Sequence, residues 1–185
     1  MHFTEFALQI INARIVEVSG FRKEGYWAPR SPWKQDQNED EVSAVVRFAN
    51  GVKMVLSRGN KYWRGSCGER FDGTEGWAGS ADGYSRPAVS TPSMLGEYKK
   101  VLSDYVARTG RSLDHMRNLV DCVKSRQQTV ANPTLMHRSM STVHGANICM
   151  WLQRTLKYDP VKEEFINDDE ANRLRSRAMR DPWRL

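Results

Sequence analysis

The chain has 185 residues, 39% hydrophobic and 27% charged, with a formal net charge of +6. That composition is too apolar for a disordered polymer and long enough for an ordinary core without covalent staples. No run of about 18 apolar residues occurs, so no transmembrane helix is expected. The three cysteines, Cys67, Cys122 and Cys149, are too few and too widely spaced for a disulfide framework or a CxxC zinc site.

The start, MHFTEFALQIINAR, lacks a basic n-region and a small-residue cleavage site, so a cytoplasmic location is expected. Residues 2–12 read as the end of a helix, with Phe3, Phe6, Ala7 and Ile10 at helical spacing. Residues 14–22 alternate as a strand, Val16 and Val18 sharing a face. In the loop that follows, Pro29 and Pro32 bar a central strand, and the acidic run 36–41 reads as solvated. Val42, Ala44, Val46 and Phe48 alternate with wetter residues, and Met54 and Leu56 do so again after Asn50-Gly51. This predicts a β-hairpin with one buried face, closed by a type I′ turn because Asn and Gly tolerate positive φ.

Residues 62–80 predict a second strand pair, with tight turns at Asp72-Gly73 and Glu75-Gly76. Their glycines match neither GxxxxGK[ST] nor GxGxxG. Residues 84–96 read as an irregular connection, and periodicity does not decide between strand and helix for 97–107. A helix is predicted over 112–127, with Ser112 as cap, Asp114 in the first turn and an apolar stripe of Met116, Leu119, Val120 and Val123. Asn132-Pro133 starts another, running to about residue 156. Its small residues Ser139, Ser141, Thr142, Gly145 and Ala146 would let a neighbour approach closely. After Asp159-Pro160 a charged, extended tail to 185 is expected, with one short helix near 168–176. Hairpins followed by helices predict a single α+β domain over 1–185, an open, mostly antiparallel sheet with helices packed on one face, rather than a doubly wound parallel sheet.

Chemistry-bearing residues are sparse. His137 and His144 lie about 10 Å apart along a helix, too far to share a metal ion. His144 is off-face for activating Cys149, so Cys149 and Cys122 read as core thiols. Among the aromatic residues, Trp27, Trp63 and Trp77 are candidates for the wall of a sugar pocket, because sugar C–H faces stack on rings; core or interface packing is the other reading. The basic excess near the end, Arg173, Arg175, Arg177, Arg180 and Arg184, comes without the fingerprint of a nucleic-acid module, and nucleic acid is not an expected partner.

Several ordered signatures resemble the C-terminal part of bacterial Gfo/Idh/MocA oxidoreductases. They are Arg117-Asn118 with Asp121-Cys122, His137-Arg138-Ser139, His144 with Asn147-Ile148, Asp159-Pro160, Asp169-Glu170-Ala171-Asn172-Arg173 and Pro182-Trp183, with FDGTEGW at 71–77. The resemblance implies a family that moves hydride between sugars or polyols and NAD or NADP. It also implies a Rossmann domain that binds the nicotinamide and a C-terminal sheet domain that lines the substrate and forms oligomers. His2 would be the family-type catalytic histidine, vestigial here, with Glu5 in place of the usual Asp. Neither GxGxxG nor Glu-Lys-Pro is present, so the expectation is an isolated or truncated substrate-binding and oligomerisation domain, inactive alone and binding no cofactor by itself. Whether it is an enzyme stays open. Expected partners are a sugar-like substrate, further copies through the sheet face, or a separate Rossmann-domain protein. The alternative is a non-catalytic, self-associating scaffold that uses the same face.

Overall fold

The computed structural model describes residues 8, 11–22, 42–57, 68–81, 88–112, 114–177 and 179–181. In chain order the described strands are β1 (Ile15–Arg22), β2 (Val42–Phe48), β3 (Lys53–Ser57), β4 (Gly68–Asp72), β5 (Trp77–Ala81), β6 (Ala88–Val89), β7 (Leu156–Asp159) and β8 (Glu164–Phe165). The described helices are α1 (Ser93–Thr109), α2 (His115–Ser125), α3 (Pro133–Leu152) and α4 (Asp169–Arg173). Every described strand pairing is antiparallel, and the fold is α+β. The chain divides into two compact units, Met1–Gly59 with His137–Leu185, and Asn60–Met136. No helix among the described residues is long and apolar enough to cross a membrane.

The first unit holds a five-stranded sheet in the order β3-β2-β1-β7-β8. Directly opposed residues of antiparallel strands share a face. Val18 opposes Val46 on one side and Leu156 on the other, and all three are fully buried. Ile15, Ala44, Phe48 and Phe165 are buried with them, and the Tyr158 ring meets Phe165 edge to face at 5.4 Å. The strand pattern needs one correction. Ile15 pairs with Phe48 and Glu17 with Arg47, so Val16 is the extra residue of a β-bulge. The bulge shifts the alternation, and Ile15 takes the inner place expected of Val16.

The hairpin forms in the expected register, Arg47 opposite Lys53 and Ala44 opposite Leu56. Its turn is not type I′. Gly51 alone has left-handed backbone (φ 86), its amide donates to Phe48 O, and the Phe48 amide donates to Val52 O. The loop is therefore the three-residue kind that ends in a left-handed glycine. Asn50 keeps a negative φ and uses its side chain instead: Oδ1 accepts from the Val52 amide and Nδ2 donates to Ile11 O at 2.9 Å.

Helix α3 lies on the buried face, and its small residues do what their size permits. Ser139, Thr142, Gly145, Ala146 and Cys149 are buried, and a Cβ added at Gly145 would sit 3.6 Å from Val18 Cγ2. The single Cys149 thiol hydrogen is shared between Val18 O at 3.5 Å and Arg154 O at 3.1 Å, tying helix to strand. Asn132 caps the helix, its Oδ1 accepting from the Leu135 amide, with Pro133 in the first helical position as expected.

The helix stops at Leu152, with Gln153 at φ 55, not near residue 156. The segment read as helix end and tail is folded. Leu156 and Tyr158 are buried on β7 and Phe165 on β8. Asn172 brackets Phe165, its Oδ1 accepting from the Phe165 amide and its Nδ2 donating to the Phe165 carbonyl, both at 2.8 Å. Asp168 caps α4 through the Ala171 amide and also receives the Arg154 guanidinium, which holds its carboxyl below the usual range. Local charge density suggested a solvated tail; the period-two spacing of Leu156 and Tyr158, followed by Phe165, carries the sheet instead.

The second unit contains the three-stranded sheet β4-β5-β6 and helices α1 and α2. Residues 97–107, undecided by periodicity, are helical, and α1 ends where Gly110 turns left-handed (φ 62) and donates to Val106 O. Helix α2 is capped by Asp114, not Ser112: Asp114 Oδ1 accepts from the Arg117 amide at 2.7 Å, and Ser112 Oγ accepts from the Asp114 amide. Its buried residues are Asn118 and Cys122. Asn118 Oδ1 accepts from the Val130 amide and the Cys122 thiol donates to Gln128 O, so this face holds the loop leading to α3. The Met116, Leu119, Val120 and Val123 stripe points to solvent.

Candidate functional site

Of the residues singled out from sequence, His2, Trp27 and Trp63 lie outside the described residues. Trp77 is described, at the start of β5 and opposite Asp72. The β4–β5 turn closes by the Gly73 amide donating to Gly76 O at 2.8 Å, which confirms the turn expected from the glycines. Ser90 then fastens Trp77 from the β6 side: its Oγ accepts from the Trp77 amide at 3.0 Å and its amide donates to Trp77 O at 2.9 Å.

The register puts Arg70, Asp72, Trp77, Gly79 and Ala88 on one face of this sheet. The Arg70 guanidinium carbon stands 4.6 Å from the Trp77 ring centroid, a cation–π contact. Arg70 Nε donates to Asp72 Oδ1 at 2.9 Å, and Nη2 reaches the same oxygen. The guanidinium is thus held by a carboxylate while it covers one side of the indole. Gly79 and Ala88 are small, so the sheet surface beside the ring stays low. An aromatic wall beside an ion pair suits a polyhydroxylated ligand, whose C–H face stacks while its hydroxyls bond to the rim. Sequence reading found Trp77 but missed Arg70 and Asp72. The available signal was the alternation Arg70-x-Asp72 across a four-residue turn from Trp77.

Glu69 belongs to the other face, with Phe71, Ala78, Ser80 and Val89. Its Oε2 is shut off from solvent without a hydrogen-bond partner, and burial pushes the carboxyl above its usual value of 4.5. A raised folded pKa means that the folded state resists ionisation. Stability contributed by the protonated form is complete below pH 4.5 and is lost as pH rises from there through the raised folded value. Glu69→Gln cannot ionise. The stability of the variant relative to wild type is therefore expected to rise between pH 4 and pH 7, as read from urea midpoints at each pH. Parallel pH profiles would show that the carboxyl is solvated.

His137 Nε2 lies 2.9 Å from Glu163 Oε2, and His144 is exposed on the same helix. Burial pushes the Cys149 thiol up to about 11, so it stays protonated and unreactive at neutral pH. Among the described residues no group of three or more His, Cys, Asp or Glu is placed to hold a metal ion.

A nicotinamide dinucleotide needs a glycine turn between a parallel strand and a helix N-terminus, where free amides meet the diphosphate. The described residues do not fit that group. Of the two described strand-to-helix turns, the one between β6 and α1 is Ser90-Thr91-Pro92, with no glycine and no N–H on Pro92, and the one between β8 and α4 is Ile166-Asn167-Asp168, with no glycine and the Asp168 carboxylate already on the Ala171 amide. The Met94 amide is already given to Thr91 O and the Leu95 amide to Pro92 O.

The sequence signatures named above are mostly scaffold. Asn118 and Cys122 hold a loop, Asn172 brackets β8, and Asp159 Oδ1 accepts from the Val161 and Lys162 amides to form the β7–β8 turn. A family model described as "Oxidoreductase family, C-terminal alpha/beta domain" matches residues 93–185, half of the chain. No curated protein matches, and no solved structure matches.

Proposed function

This chain belongs to the Gfo/Idh/MocA oxidoreductase family, and from that premise we propose that its 185 residues supply the substrate side and assembly contacts of an NAD(P)-dependent oxidation of sugars or polyols. By itself the chain turns over nothing. The supporting observation is the pairing of a C-terminal-domain match with antiparallel sheets whose described strand-to-helix turns cannot receive a diphosphate. The nicotinamide, where one is used, carries the hydride chemistry and is held by residues other than these. In this reading the Trp77, Arg70 and Asp72 face meets the polyol, and His2 has no catalytic role.

Calorimetric titration of the chain with NADH and NADPH is expected to give no heat beyond dilution. Micromolar binding of either would overturn the assignment of these residues to the substrate side.

A self-associating scaffold without redox chemistry is the second reading. One observation favours it. On the five-stranded sheet, the face opposite the core carries Val45 beside Val55, which is 62% exposed. The same face holds Glu17 between Arg47 and Lys157, with the Glu17 carboxylate 3.1 Å from Arg47. Copies meeting there would bury a small apolar centre inside a charged rim, as in many non-obligate interfaces. Val55→Glu would remove that centre.

A further inference from the structure

Resting on the reading that the Trp77 face meets the polyol, we propose that Asp72 makes this site selective for neutral sugars and polyols over sugar acids. Arg70 is the cation on the face that an anionic ligand would seek. Its Nε–Nη2 edge is the side on which a guanidinium takes a carboxylate as a fork. Here both nitrogens already donate to Asp72 Oδ1, Nε at 2.9 Å. The two residues are alternate members of β4, so their side chains leave the strand on the same face. The carboxylate is thus tethered beside the group it occupies. An incoming anion would have to displace a competitor that never diffuses away.

Exposure points the same way. The Arg70 side chain is 24% exposed and that of Asp72 is 65% exposed. A ligand approaching this face therefore meets carboxylate before guanidinium. Glu75, in the turn that joins β4 to β5, is a second exposed carboxylate at the same end of the sheet. A repulsion between unit charges near the surface is enough to weaken an acid about tenfold. Both bonds from Arg70 end on Oδ1, which leaves Oδ2 to accept from a ligand hydroxyl. A neutral polyol offers that donor and brings no charge to be repelled. Arg70 then serves the wall itself, 4.6 Å from the Trp77 ring centroid, and not the charge of a ligand.

The test compares sugars that differ only in charge. Methyl glycosides and the matching glycosiduronates, in gluco, galacto and manno forms, are titrated into the full chain at millimolar concentrations and fixed ionic strength. Binding is followed by the indole N–H signals in nuclear magnetic resonance, with the Trp77 signal identified by its loss in Trp77→Phe. At least one neutral glycoside should bind, and its uronate at least about tenfold more weakly. Added salt should narrow that gap, because the carboxylate is exposed. Asp72→Ala should reverse the preference, since the opened Arg70 edge then takes the ligand carboxylate. Asp72→Asn keeps an acceptor oxygen without the charge and should shrink the gap. A uronate bound as tightly as its neutral partner by the wild-type chain overturns the proposal and leaves the substrate-side reading standing. A preference unchanged in both Asp72 variants, with backbone amide signals showing the fold intact, also overturns it. A Trp77 signal moved by none of these sugars overturns the substrate-side reading itself, and the proposal with it.

Discussion

Truncating Leu156 to Ala is expected to destabilise the chain by about 2–5 kcal/mol, a large part of the roughly 5–15 kcal/mol that holds an ordinary domain. Leu156 is buried to 1% exposure and opposes Val18, itself wholly buried between β2 and β7. Nothing can collapse into the space, because α3 approaches Val18 through Gly145, which has no side chain to extend. The loss therefore includes a cavity as well as the transfer of the missing methyl groups. Urea denaturation followed by circular dichroism should show a lower midpoint with an unchanged slope. Val161→Ala, five residues away in an exposed turn, should stay within about 0.5 kcal/mol of wild type. A Leu156 variant as mild as that would mean that β7 does not belong to the core.

Gly76→Ala is expected to open the β4–β5–β6 sheet and release Trp77 from Arg70. Two costs act at that position. Its φ of 150 is a backbone setting that L side chains rarely adopt, and an added Cβ would lie 2.2 Å from Ser90 Oγ. Ser90 cannot step aside freely, because its hydroxyl and amide both bind the backbone of Trp77. Amide hydrogen exchange should quicken across residues 68–81 and 88–90 while the protection of β1, β2 and β7 stays as it was. Combining the change with Ser90→Gly removes the collision but leaves the backbone strain. Partial recovery of protection in the double variant is therefore expected. Full protection in the single variant would contradict the turn geometry. The same variants bear on the substrate side, since the 4.6 Å contact of Trp77 with Arg70 sits at the start of β5, which Ser90 helps to hold.

The two kinds of feature behaved differently when read from sequence. The β2–β3 hairpin, the Asn132 cap with Pro133 behind it, the β4–β5 turn and the close-packing row on α3 all depend on residues within a few positions of one another. Alternation, capping groups and side-chain size express them directly. The bulge at Val16, the strand at Leu156–Asp159 and the burial of Asn118 and Cys122 in place of Val120 and Val123 do not share that property. Each is set by a partner remote in the chain or by a loop amide that needs an acceptor. The site divides the same way. Trp77 stood out as an aromatic residue in a glycine-rich stretch, whereas Arg70 and Asp72 became its neighbours only through strand register.

By itself the sequence determined which stretches alternate, where helices start, and that the glycines follow neither of the two phosphate-loop spacings, because these are properties of short runs of backbone and side chain. Tertiary structure alone decided which side of β1 near its bulge, and which side of α2, faces inward. Burial is a competition between surfaces brought together across the whole chain: Val18 lost its exposure to Val46, Leu156 and Gly145, and α2 turned Asn118 inward because the Val130 amide would otherwise go unpaired.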